Sequence, residues 1–434
     1  FRAFRLTNQT RSISPSVTLL SIVVVVPARM GRLNRRALLT RLQRLGVASR
    51  ADLAKSLGMS QPTAGKIAEE LLELGVLEEI DGAQPAPARA QHQVKLGRPG
   101  RLLRLNRTVP RFVAIQLGVS ETCVSTVCLG VGFSDNWQHH FKTPSSAELW
   151  TERLHAIASR LPPAAYWGVL VSVPGIVDDL AGRVLFSPNL HWTEKVNLCH
   201  LVQEVWTVPV ILVQEERSLA LGYQQLHPLA RDFLLVDFGE GVGASLVVSG
   251  HLYDSLLPIC GELGHVPVLG NERPCGCGAS GCLETLVSTR GLLQGFAAAH
   301  GGLNSTWDVM IERLALRGVE PWLAATLDAT SVVIAGALNV LGVRNLVVTG
   351  SLSDLPTTVM DHLSSAIRKG SIYARFGQIE IETAPRHRMA GLVAAGIDRL
   401  VVPMSSRDRA TPGEPSLPGR NGNPGLPAPK HPAP

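Results

Sequence analysis

Two hydrophobic rhythms divide this chain. Between residues 35 and 74 the apolar positions recur every three or four residues. Leu38, Leu39, Leu42 and Leu45 share one helical face, Leu53 and Ala54 a second, and Ala64, Ile67, Leu71, Leu72 and Leu74 a third. Gly46 ends the first of these helices. Ser49 is placed to cap a second running through Leu57, Gly58 makes the turn, and Ser60 caps a third from Gln61, with Pro62 tolerated in its first turn. From Pro110 onward the rhythm changes to short continuous apolar runs that read as buried strands. They are residues 112–118, 123–129, 168–175, 208–213, 233–243, 244–248 and 346–350, several of them ending in glycine. A helix over 215–225 follows the fourth run. Strand, glycine turn and strand, repeated in two halves with helices between, predicts a duplicated α/β fold with a cleft between two lobes.

The ends break both rhythms. Residues 1–29 hold one apolar run, Val17 to Val26, behind a few arginines. At about ten residues it is too short to span a bilayer. It looks like the apolar region of a signal peptide, yet a basic domain follows it. The segment is expected to be a disordered or mis-assigned extension, with Met30 as the start. Residues 404–434, rich in Pro, Gly and Arg, are expected to be a disordered tail. No other segment reads as a membrane crossing, so no membrane partner is expected. Cys123, Cys128, Cys199 and Cys260 are scattered in apolar surroundings within an odd total of 7 cysteines. That usage points to a reducing compartment and a cytoplasmic protein.

Charge sharpens the picture of the helical region. Residues 30–106 carry thirteen Lys and Arg against seven acids, an excess equal to the whole chain's net charge of +6. A basic N-terminal domain on a balanced body suggests a polyanion partner, nucleic acid first. Helix, glycine turn, helix is the helix-turn-helix plan, whose second helix presents its first residues to base edges. Those are Ser60, Gln61, Thr63 and Lys66. Beyond Gly75 the chain reads as two strands of a wing around a Pro/Ala/Gln loop. Gly97-Arg98-Pro99 offers a stiff arginine to a minor groove. The competing reading is a three-helix module for protein contacts.

Candidate chemistry concentrates in residues 262–284. His265, Cys275, Cys277 and Cys282 have the spacing of a closed tetrahedral zinc site, which keeps no open position for catalysis. Reduced cysteines in a Gly-rich turn, or a disulfide from Cys275 or Cys277 to Cys282, are the alternatives. Glu262 and Glu284 flank the loop.

With these residues in view, the chain resembles the ROK family (repressor, open reading frame, kinase) from about Arg35 to Leu400. The resemblance rests on the zinc-loop spacing, the winged helix, Val173-Pro-Gly175, the stretch from Ser187 to Trp192 and that from Gly97 to Asn106. It implies an α/β, two-lobed actin-like ATPase/hexokinase fold over 110–403, with lobes of about 110–225 and 226–403. A small winged helix-turn-helix domain over 30–106 would precede it, and within the family that domain marks the regulators. Carried over residue by residue, Asn189, Glu262, His265 and Glu284 would bind a sugar, with Gln214 and Glu215 beside them.

The departures from family kinases point away from catalysis. Glu215 stands where they have a general-base Asp, and about 1 Å of misplacement can cost roughly a hundredfold in rate. Gln214 replaces a sugar-binding Asn, Gln116 replaces the acid of the first phosphate turn, and Glu240 in the second turn would repel phosphate. ATP and Mg²⁺ are therefore not expected, and zinc is expected in a structural role. The expected function is a DNA-binding regulator of sugar genes, in the first instance a repressor. It would act as a homodimer or homotetramer on palindromic operator DNA with a sugar effector. The alternatives are an active hexose kinase with a DNA-binding domain, and a constitutive DNA binder with a dead sugar pocket.

Overall fold

Capping residues set the helix boundaries of the N-terminal domain. Helices α1 (Pro27–Leu45), α2 (Arg50–Leu57) and α3 (Gln61–Glu73) are joined by a short strand β1 (Ala48–Ser49) and a turn at Gly58. Ser49 Oγ accepts the Asp52 N–H at 3.1 Å and Ser60 Oγ the Thr63 N–H at 3.3 Å, satisfying donors that each helix start leaves free. Strands β2 (Leu77–Ile80) and β3 (Leu102–Leu105) pair antiparallel as the wing, with β1 on the far side of β3. Leu38, Leu39, Leu42, Leu53, Leu71 and Leu103 are fully enclosed, each worth about 1.5–3 kcal/mol of burial. The computed structural model describes residues 27–80, 101–130, 137–255, 259–302 and 305–404. The expected extension through residue 26, the wing tip with Arg98, and the tail beyond Met404 lie outside the described residues.

Two five-stranded sheets with one topology form the body. In the first, β4 (Phe112–Leu117), β5 (Glu121–Val127) and β6 (Gln138–Lys142) make an antiparallel meander. Then β7 (Gly168–Val173) and β10 (Val210–Gln214) add in parallel on the other side of β4. A hairpin of β8 (Ile176–Asp178) and β9 (Arg183–Phe186) and the helices α4 (Ala147–Ala158) and α5 (Leu198–Val205) complete this half. Helix α6 (Glu215–Leu226) follows β10. The second sheet repeats the plan. Strands β11 (Phe233–Phe238), β12 (Val242–Val248) and β13 (His251–Leu252) form its meander, and β14 (Asn345–Gly350) and β15 (Glu380–Thr383) its parallel extension. Between them lie α7 (Glu284–Val287), α8 (Thr289–His300), α9 (Trp307–Arg317), α10 (Pro321–Leu341) and α11 (Thr357–Gly370). Helix α12 (Arg388–Gly396) follows β15, as α6 follows β10, and runs into a wider turn over Ile397–Val401.

The helix ending each half crosses to the other half. Leu219, Ala220 and Tyr223 of α6 pack with Phe233, Leu235 and Val247 of the second sheet. Leu392, Val393 and Ala395 of α12 pack with Phe112, Ala114 and Leu170 of the first. Across the lobe boundary expected at about 225/226, α6 thus packs on the second sheet and α12 on the first. The two helices cross at glycines. A Cβ on Gly222 would stand 1.9 Å from the His387 carbonyl oxygen, and one on Gly391 would stand 1.7 Å from that of Ser218.

One correction concerns hydropathy. Helix α10, 21 residues long, is long and apolar enough to cross a membrane, although the sequence reading identified no such segment. The body uses one side of it as core, with Leu323, Leu327, Ile334 and Leu338 fully buried. The other side is exposed, Val332 and Val340 included.

No gap in packing separates the N-terminal domain from the body. One apolar cluster runs from Leu38 and Leu71 through Leu105 to Phe112, Leu392 and Val401. Polar contacts add to it. Arg36 donates to Asp398 at 2.9 Å, and Arg35 donates to the Val402 carbonyl at 3.4 Å while pairing with Glu70 at 2.8 Å.

Candidate functional site

Strand ends and helix starts converge on a polar cavity of about 50 Å³ between the lobes. Gln214 closes β10, Glu216 sits in the first turn of α6, and Ser187 and Asn189 follow β9. Glu262 and His265 come from a short 3₁₀ turn, and Glu284 opens α7. Glu284 is 6% exposed, and its Oε2 accepts the Val242 N–H at 2.9 Å, tying α7 to the Gly-rich turn after β11. Burial, reinforced by the Glu284 charge, pushes the Glu262 carboxyl up to about 7. Glu262 Oε2 faces His265 Nε2 at 3.8 Å.

Of the six ligand residues expected from sequence, Asn189, Gln214, Glu262, His265 and Glu284 line this cavity, and Glu215 does not. Arg388, the first residue of α12, engages the Glu215 carboxylate and draws it away. Consecutive residues of a helix point about 100° apart, so Glu215 and Glu216 cannot both face the cleft. Glu216 is the one that does, and sequence reasoning missed it. Burial, then the neighbouring Glu215 charge, holds its carboxyl well above the usual range. Its side chain lies against Gly243, where a Cβ would stand 2.5 Å from Oε1. The paired acids at the start of a helix were the available signal, but only the three-dimensional phase of α6 distinguishes them.

The four expected metal ligands come together beside the cavity. One donor atom from each of His265, Cys275, Cys277 and Cys282 lies within 4.8 Å of the others. Cys275 Sγ is 3.6 Å from His265 Nδ1, and Cys277 Sγ is 3.6 Å from Cys282 Sγ. All three cysteines are free of disulfides, and a bonded sulfur pair would be about 2.05 Å apart. Zinc–sulfur bonds of about 2.3 Å and zinc–nitrogen bonds of about 2.0–2.1 Å give tetrahedral edges of about 3.6–3.8 Å, so the donor set fits a tetrahedral ion. Burial pushes the Cys282 thiol up to about 12, a penalty that a bound cation removes. With Nδ1 toward the sulfurs, His265 keeps Nε2 for the cleft.

The two turns that the family resemblance assigns to phosphate are bonded to each other. The turn after β4 and the turn after β11 are equivalent in the two sheets, and they meet. Glu240 Oε2 accepts the Ser120 N–H at 3.0 Å, and Ser120 Oγ donates to the same carboxylate. Gln116 lies in β4, paired across to Cys123 of β5. Asp237, at the end of β11, accepts two bonds of 2.8 Å from Arg386, while burial pushes its carboxyl up to about 6 against the pull of that guanidinium.

In the N-terminal domain, Gln61, Thr63 and Lys66 are exposed along the first two turns of α3. Ser60 is exposed as well, but its Oγ is engaged as the cap and lies 2.8 Å from Thr63 Oγ1. Glu69 and Glu73 occupy the exposed side of the last turns. The exposed charge of α3 is therefore positive near its start and negative near its end. Arg32, Arg35, Thr63 and Lys66 line a cleft of about 490 Å³ between α1 and α3.

Residues 114–396 match the ROK family model. The chain is similar to the xylose repressor of Caldicellulosiruptor bescii, 24% identical over 360 residues that cover 78% of this chain and 88% of that protein. Its fold is shared with a ROK family transcriptional regulator that is a homolog of the E. coli MLC protein. That likeness has a TM-score of 0.67 at 19% identity and covers 86% of this chain and 98% of the other. It is also shared with a ROK family glucokinase from Streptomyces griseus solved with glucose and AMPPNP, with a TM-score of 0.54 at 22% identity over 65% of this chain and 97% of that one.

Proposed function

This chain belongs to the ROK family, and from that premise we propose that it is a DNA-binding transcriptional repressor. On this reading it senses a sugar or sugar derivative in the cleft between its lobes and does not phosphorylate it. The observation that carries the reading is helix α12. At one end Arg388 holds Glu215, next to the cleft residues Gln214 and Glu216. Just past its other end, in the wider turn, Asp398 holds Arg36 of α1, in the DNA-binding domain. A ligand that changes the angle between the lobes moves α6 against α12, and α12 carries the DNA-binding domain with it. Ligand shifts the equilibrium by as much as it favours one lobe angle over the other.

Gln61, Thr63 and Lys66 would meet base edges, with Arg32 and Arg35 at the flanking phosphates. Two copies would set two α3 helices in successive major grooves of an inverted repeat. Asn189, Gln214, Glu262, His265 and Glu284 would exchange hydrogen bonds with sugar hydroxyls. Zinc held by His265, Cys275, Cys277 and Cys282 would supply no chemistry; it would fix the loop that carries Glu262 and Glu284. As a regulator of transcription the protein would work in the cytoplasm.

The similarity to a xylose repressor supports this reading over that of a kinase. So does the Glu240–Ser120 contact, which sets a carboxylate and its two hydrogen bonds where phosphate would need open donors. Selection of duplexes from a random pool on the full-length protein tests the DNA claim. Enrichment of one inverted repeat is expected, and a pool left unenriched at low salt would remove it.

A further inference from the structure

Glu216 gives the cleft a character that the residues expected from sequence do not. Glu216, Glu262 and Glu284 all line the same small cavity, and among the described residues around it none is Lys or Arg. The neighbouring cations are committed elsewhere: Arg217 pairs with Asp254 at 2.5 Å, Arg388 with Glu215, and Arg386 with Asp237. Of the three carboxylates, Glu284 has the Val242 N–H and Glu262 faces His265. Glu216 Oε2 is enclosed and has no partner. Ser187, 1% exposed, also lines the cavity with its Oγ unpartnered. An enclosed acceptor without a donor is costly, and one beside like charges costs more. Both atoms call for a ligand rich in donors.

Neutral sugar hydroxyls satisfy part of this demand, since each donates one hydrogen bond. They bring no charge opposite to that of the clustered acids. An ammonium group brings three donors and the opposite charge. An anionic group would meet three carboxylates without a facing cation, which argues against sugar phosphates and sugar acids. Gln214, Asn189 and Ser187 remain for hydroxyls.

We propose that the effector is a sugar bearing a basic nitrogen, an unacetylated amino sugar or a close relative, and that Glu216 is the residue that selects it. This inference rests on the sugar-sensing reading above. Isothermal titration of the full-length protein with glucosamine, galactosamine and mannosamine, each against its parent hexose, tests it, with xylose, N-acetylglucosamine and glucosamine 6-phosphate as further arms. The best amino sugar should bind about tenfold or more tighter than its parent, the margin of a charge-assisted over a neutral hydrogen bond. Glu216→Gln should bring that ratio close to one, whereas Asn189→Ala should weaken both ligands and keep the ratio. Neutral sugars binding as tightly as amino sugars would overturn the inference and leave the sugar-sensing reading standing. So would a ratio that survives in Glu216→Gln. Absence of binding by every sugar would remove both.

Discussion

On the proposed reading the crossing of α6 and α12 joins the cleft to the DNA-binding domain, and Gly391→Ala tests how close that crossing is. The new Cβ would stand 1.7 Å from the Ser218 carbonyl oxygen, 2.6 Å from the Ser218 carbonyl carbon and 2.9 Å from the Gly222 nitrogen. All three are backbone atoms of α6, so no rotamer change relieves the clash. Ordinary contact begins at 3.4 Å, and the helices must slide or part to reach it. A gap of about 0.5–1 Å already forfeits a quarter to a half of a dispersion contact. Leu219, Ala220, Leu392 and Val393, close to these glycines in sequence, are all buried. Overpacking costs about 1–3 kcal/mol, and a backbone-on-backbone clash belongs at the upper end.

Gly336→Ala in α10 supplies the control, because a Cβ there meets nothing within 4 Å. It should stabilise by about 0.5–1 kcal/mol through helix propensity alone. Urea unfolding of the full chain, followed by circular dichroism, reads both. The midpoint should fall for Gly391→Ala and rise slightly for Gly336→Ala. Equal midpoints for wild type and Gly391→Ala would refute the close crossing, as would equal damage from the two substitutions.

Other consequences are separable. Cys277→Ser should purify with less than one zinc per chain and unfold at lower temperature, as plasma emission spectrometry and a thermal melt would show; full metal content would reject the ligand set. Lys66→Ala should weaken binding to a selected duplex and, if its partner is a phosphate, reduce the salt slope by about one; unchanged affinity at fixed salt would reject α3 as the reading helix. Glu320 is held down to about 2, first by Arg313 and then by Trp322 and His300. Its folded value lies below the unfolded one, so the stability it contributes is present above about pH 4.5 and fades as pH falls toward 2. Glu320→Gln should therefore cost about 1–2 kcal/mol at pH 7, after allowance for solvent screening. That deficit should be smaller at pH 4 than at pH 6, and a pH-independent deficit would rule out the ion pair as its source.

Local chemistry was legible in the sequence wherever a short segment decides the outcome. Ser49, Gly58 and Ser60 mark helix ends because capping is settled within four residues. His265 and the three cysteines converge because the turn that brings them together is only 18 residues long. What stayed hidden depends on contacts between distant segments. The crossing of α6 and α12 joins residues more than 160 positions apart, and no periodicity encodes it. Glu215 and Glu216 look alike in sequence, and the guanidinium of Arg388, far along the chain, decides which one faces the cleft. Glu240 reads as a repellent for phosphate, yet its bond to Ser120 across the lobes depends on two turns that only the duplicated topology brings together. Helix α10 exposes Val332 and Val340 on one side while serving as core on the other, so its hydropathy alone misrepresents its environment.

The central claim is that the cleft controls DNA affinity without phosphoryl transfer. Fluorescence anisotropy of a selected duplex, titrated with the full-length protein in the presence and absence of a saturating sugar, with and without ATP and Mg²⁺, tests it most directly. The sugar should change DNA affinity by about 5- to 150-fold, the range of a coupling energy of about 1–3 kcal/mol, and ATP should change nothing further. A sugar that binds while DNA affinity stays the same, or a reaction in which ATP is consumed, would contradict the account.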